Sequence, residues 1–126
     1  MTSLALDLAV ELRPDRPGSL ARAAEAIASG GLNLDGFAEV DGVLHVLTRD
    51  ARSARFALEA AGLRVAGERE VVVMQLEDRP GEAAHVFRRL AESGLRVHHT
   101  YVASGNRVVI ASDDPARAAT LLDDGA

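Results

Sequence analysis

Leu4, Leu6, Leu8, Val10 and Leu12 recur at every second position, with Asp7 and Glu11 between them, which is the period of a half-buried strand. The pattern stops at Pro14. From Pro17 the period becomes helical: Leu20, Ala24 and Ile27 share one face, Pro17 suits a first turn, and Gly30-Gly31 supplies the stop, so a helix is predicted over 17–29. Leu32, Leu34, Ala38 and Val40 then alternate with Asn33, Asp35, Phe37 and Glu39, and Asp41-Gly42 makes a tight hairpin turn into a strand over 43–48. Asp50 is placed to cap a second helix carrying Ala54, Leu58 and Ala61, ended by Gly62, after which 63–66 reads as a short strand. The order is βαββαβ.

The order then repeats. A strand over 71–76 leads to a helix over 80–93 with Ala83, Phe87 and Leu90 inward, a strand over 95–103, a turn at Ser104-Gly105-Asn106 and a strand over 107–112. A final helix starts at Asp114-Pro115 and ends near Leu122, with nothing strand-like after it, so the fourth strand of the second copy is missing. The repeat is visible in identities as well as in pattern. Asp15-Arg16-Pro17-Gly18 recurs as Asp78-Arg79-Pro80-Gly81, and at this offset of 63 the stretch 15–50 laid over 78–113 gives 11 identities in 36 pairs. Chance would give roughly three, so the chain divides into copies over 1–69 and 70–126. Neither copy is large enough to build a comfortable core alone.

The expected fold class is therefore α+β, as two ferredoxin-like βαββαβ repeats, each an antiparallel sheet with its helices on one face. In that order the fourth strand pairs with the first, so the second copy leaves the strand over 71–76 with a vacant edge. Val71 and Val73 on one side and Val72, Met74 and Leu76 on the other make it apolar on both faces, as for a strand covered by a neighbour. The strand over 63–66 could fold over onto it through the connector 67–70, or a second chain could cover it; a homodimer is the expectation adopted.

Composition narrows the function classes. A net charge of -5 with a pI near 5.3 and only four aromatic residues argues against a nucleic-acid partner. The absence of cysteine removes thiolate metal sites and disulfides. Asp7 and Glu11 interrupt the first apolar run, which is neither a signal peptide nor a membrane span, and a cytoplasmic protein is expected. No serine, histidine and acid set stands in a nucleophile context and there is no glycine-rich nucleotide loop, so no catalytic residue and no cofactor is assigned. His98-His99 cannot jointly hold a metal, because neighbours on a strand face opposite ways. By the offset, His98 falls on the face of Arg96, while His99 points toward the helices; His45 and His85 read as ordinary, partly buried histidines.

The turn Asp15-Arg16-Pro17-Gly18-Ser19-Leu20, followed by Gly31-Leu32-Asn33-Leu34, resembles the signature of the ACT domain family of amino-acid-sensing regulatory modules. The second copy matches it in Asp78-Arg79-Pro80-Gly81 and Gly94-Leu95, but carries Glu82-Ala83 where the first has Ser19-Leu20, and Arg96 in place of Asn33. The resemblance implies a protein that is not an enzyme itself, that binds a small amino acid and that reports it to an effector enzyme or protein. It places the ligand between this loop and the facing edge of a partner domain, which gives a site of Asp15, Arg16, Pro17, Gly18, Ser19, Leu20, Asn33, Leu34, Arg96 and His98. A weaker second site would comprise Asp78, Arg79, Pro80, Gly81, Glu82 and Ala83. The residues support the chemistry independently, since the amides of Gly18, Ser19 and Leu20 open a helix and can receive a carboxylate. The same residues also admit a plain structural role, with Asp15 and Asp78 as helix caps and the prolines and glycines as turn formers. The alternative function is an interaction or dimerisation module that binds no ligand.

Overall fold

The computed structural model describes residues 2–13 and 17–124, and its chain order is β1 (Thr2–Glu11), α1 (Ser19–Ser29), β2 (Gly36–Val40), β3 (Val43–Leu47), α2 (Ala51–Ala60), β4 (Arg64–Gln75), α3 (Glu82–Glu92), β5 (Val97–Ala103), β6 (Arg107–Ser112) and α4 (Pro115–Asp124). Two compact units form. The first is Leu6–Arg69, and the second joins Met1–Ala5 to Glu70–Ala126, so β1 and β4 each belong partly to both.

In the first unit β3 pairs antiparallel with β1, Asp7 opposite Leu47 through Glu11 opposite Val43, and with β2, Gly36 opposite Leu47 through Val40 opposite Val43. The hairpin turns at Asp41-Gly42, whose φ values of 52° and 82° are the two positive angles that a type I′ turn requires. Leu8, Val10, Leu44 and Val46 face Ala23 and Ile27 of α1 and Ala54 and Leu58 of α2, forming one buried cluster. The helical stripe is shifted from the predicted one. Ser19, Ala23 and Ile27, four residues apart along one face, go inward while Leu20, at 46% exposure, does not, and the helix begins at Ser19 rather than at Pro17. Asp50 caps α2 as its position predicts, accepting from the Ser53 amide at 3.1 Å and the Ser53 hydroxyl at 2.7 Å.

The second unit repeats the scheme. β6 pairs with β4, Val72 opposite Ile110, and with β5, Tyr101 opposite Val109, with a bulge between Val97 and His99. Val72, Val108 and Ile110 pack under Val86 and Leu90 of α3 and Ala118 and Leu122 of α4. Val86, not Ala83, fills the inward position, since α3 likewise starts two residues later than Pro80. His99 stands opposite Ala111 and on the face of Tyr101 and Val109, away from the face of Val108 and Ile110 that meets the helices; it does not point toward them, and it stacks on Tyr101 instead. His85 is exposed, not partly buried.

Two expectations about the sheets fail. The short strand over 63–66 does not end; it runs through the supposed connector as the twelve-residue β4. The segment 67–70 lacks turn chemistry, because Gly67 lies outside the left-handed region and the three residues after it are charged. The repeats do not form two open ferredoxin-like sheets with helices on one face: the strand order β1-β3-β2-β5-β6-β4 closes on itself as a barrel. In that order β1 lies between β4 and β3, and β4 between β6 and β1. The vacant edge that motivated a homodimer is therefore absent. β4 pairs with β1 as well as with β6, the second unit takes in Met1–Ala5, and Thr2 is tied to Asp123 of α4 through its amide at 3.0 Å and its hydroxyl at 2.8 Å. Among the described residues no helix is long and apolar enough to cross a membrane.

Candidate functional site

The two Asp-Arg-Pro-Gly turns differ in chemistry although their backbones agree. Gly18 precedes α1 with φ 97° and ψ −4°, and Gly81 precedes α3 with φ 87° and ψ −8°, a left-handed conformation suited to glycine. No side chain caps α3, so the capping role for Asp78 does not hold. Asp15 and Arg16 lie outside the described residues.

In the second unit the turn is neutralised from within. Arg79 bonds Glu82 at 2.9 Å and Glu77 at 3.0 Å, and these two carboxylates hold its guanidinium above its ordinary pKa, the Glu82 hydrogen bond contributing most and the Glu77 charge next. Glu82 thereby places a carboxylate in the first turn of α3, where the helix amides favour negative charge. Asp78, Pro80, Gly81 and Ala83 are exposed around it.

In the first unit no acidic residue stands in the first turn of α1. Ser19, 8% exposed, occupies the position of Glu82 and turns its hydroxyl back to the Arg13 carbonyl at 3.3 Å, while Pro17, Gly18 and Leu20 are exposed. Beside them opens a cavity of about 440 Å³ lined by Glu11, Leu12, Arg13, Ser19, Arg22, Gly62, Leu63 and Arg64. Three arginines and one glutamate thus stand in its described lining. Glu11 and Arg64 approach to 3.7 Å, and the Arg22 guanidinium reaches over Gly62, 4.0 Å from where a Cβ would stand.

The structure separates several residues that the sequence reading grouped. Asn33 and Leu34 follow the far end of α1, and an eleven-residue helix puts about 16 Å between its ends, so this unit does not bring Asn33 to Gly18. Asn33 instead donates to the Asp35 carboxylate at 3.1 Å, and Leu34 packs against the core. Arg96 and His98 are exposed in the second unit, where the Arg96 amide donates to Asp113 at 3.3 Å. Arg13, Arg22 and Arg64 escaped the sequence reading, although the repeat held a signal: at the offset of 63, Arg13 faces Leu76 and Arg22 faces His85. Also unforeseen is the burial of Asp7, a polar position of the alternating first strand that is only 1% exposed, its carboxylate 3.0 Å from Nδ1 of His45.

No family model matches this chain, and no curated protein does. Solved structures match over nearly its whole length. A protein from Bacteroides thetaiotaomicron, BT0572, aligns with TM-score 0.77 at 25% identity, covering 99% of this chain and 89% of that one. The ligand-free regulatory subunit of aspartate kinase from Thermus thermophilus aligns with TM-score 0.67 at 22% identity, covering 98% and 95%. A C-terminal regulatory domain of aspartate kinase from Porphyromonas gingivalis aligns with TM-score 0.66 at 12% identity, covering 98% and 96%. The chain shares its fold with the regulatory subunits and domains of aspartate kinase.

Proposed function

We propose that the chain is a regulatory module that binds a free amino acid at the N-terminal turn of α1 and signals its presence to an effector protein. The observation that carries this reading is the contrast between the two turns: Arg79 pairs with Glu82 at 2.9 Å in one, whereas the other adjoins a cavity lined, among the described residues, by Arg13, Ser19, Arg22 and Arg64. A ligand carboxylate there would meet helix amides and cations together. The fold supports the reading, since aspartokinase III of Escherichia coli, which shares it at TM-score 0.61, was solved in complex with lysine and aspartate. Asn33, Leu34, Arg96 and His98 are not needed by it.

A free amino acid has few heavy atoms, so affinity between micromolar and millimolar is expected. An amino-acid panel by thermal shift, followed by calorimetry on each hit, tests the proposal; a panel without a hit at millimolar ligand refutes it. The interaction-module reading is favoured by a different feature. Phe56 of α2 is 76% exposed beside a groove lined by Ala26, Gly30, Ala57, Ala60 and Ala61. Self-association that vanishes in Phe56→Ser, with no amino acid bound, would establish that reading instead.

A further inference from the structure

We infer that the cavity beside α1 selects an amino acid whose side chain is itself acidic, an inference that rests on the amino-acid-binding reading above and names its ligand class. The charge count sets the direction. Among the described residues, Arg13, Arg22 and Arg64 against Glu11 leave two positive charges in excess around a space of about 440 Å³, within the size range of small-molecule sites. Glu11 and Arg64 partner each other loosely at 3.7 Å, whereas the Arg13 and Arg22 guanidiniums form no ion pair among the described residues.

The second repeat shows what such a place takes. At the offset of 63, Ser19 corresponds to Glu82, whose carboxylate is held at 2.9 Å by Arg79. The first repeat has lost that built-in carboxylate and gained two cations, Arg13 where the other copy has Leu76 and Arg22 where it has His85. Two guanidinium forks match two carboxylates in geometry as well as charge. The Glu11 carboxylate remains to accept an α-ammonium. An amino acid with a neutral side chain would bring one carboxylate to Arg13 and Arg22 together, and a basic one would add a third positive charge to the excess.

Calorimetry on the full chain with L-aspartate, L-glutamate, succinate, L-leucine, L-lysine and inorganic phosphate tests this. Aspartate or glutamate is expected to bind tightest, with affinity falling about tenfold or more in Arg13→Gln and in Arg22→Gln, the loss of one charge-assisted hydrogen bond. Both side chains are exposed, so both variants should melt with the parent, and Arg88→Gln on α3 should bind as the parent does. Succinate should bind more weakly than aspartate in the parent and equally well in Glu11→Gln. Tightest binding of leucine or lysine, unaffected by the arginine variants, overturns the acidic class and leaves the amino-acid reading intact. Binding of phosphate alone overturns both, as does binding of nothing in the panel.

Discussion

Replacing Gly18 by alanine separates the backbone requirement of the α1 turn from its function, and Gly81 serves as the internal control. Both glycines hold positive φ, 97° and 87°, and a Cβ built on either would meet nothing within 4 Å among the described residues. No steric clash is therefore added, and the cost is that of holding an L-residue in the left-handed region, about 1–2 kcal/mol at each site. For a chain of this size that lowers Tm by several degrees. Gly67 lies outside the left-handed region with open space around it, so Gly67→Ala should be neutral or stabilise by up to about 1 kcal/mol through the unfolded chain. Urea unfolding followed by circular dichroism measures all three, and calorimetry with the amino acid found by the panel measures binding. Gly18→Ala and Gly81→Ala should lose similar stability, while only the Gly18 variant loses affinity; Gly18→Val, β-branched, should abolish it. A stable Gly18→Ala would contradict the left-handed turn. Loss of binding in Gly81→Ala with retention in Gly18→Ala would place the site in the other repeat.

Deleting residues 2–5 removes the part of β1 that belongs to the second unit, together with the Thr2 bonds to Asp123, and bares an edge of β4. Light scattering should then show association, whereas a truncated chain that stays monomeric and fully folded would show that β4 needs no cover. The cap of α2 should weaken in acid. Hydrogen bonds from the Ser53 side chain, and next from its amide, hold the Asp50 carboxyl below its ordinary value of 3.8. A lowered folded pKa means that the contribution is full above the ordinary value and is lost as pH falls through the lower one. The stability difference between the parent and Asp50→Ala, read from urea curves, should therefore be constant above about pH 5 and shrink below about pH 4. A difference that persists unchanged at about pH 2 would mean that the charge on Asp50 contributes nothing.

The local elements were legible because each rests on neighbours in sequence. Alternation in β1, the positive-φ pairs Asp41-Gly42 and Gly105-Asn106, and the Asp50 cap are decided within a few residues, and the Asp-Arg-Pro-Gly turn recurs at an offset of 63 in the sequence itself. The same locality explains the misplaced stripes of α1 and α3, where proline marked the approach to the helix and the left-handed glycine after it marked the start. Tertiary structure decided what depends on distant partners. That β4 runs on through 67–70, that its edge meets β1, and that the strand order closes instead of forming two open sheets all depend on backbone pairing between residues far apart in the chain, which carries no side-chain signature. Asp7 could be read as solvated because only the fold brings His45 beside it, and the arginine cavity assembles from the end of β1, the start of α1 and the start of β4. The sequence by itself determined the recurring Asp-Arg-Pro-Gly turns and the helices that follow them, which carry the candidate chemistry. Only the fold determined which charges share a cavity, because electrostatic complementarity depends on separation in space and not along the chain.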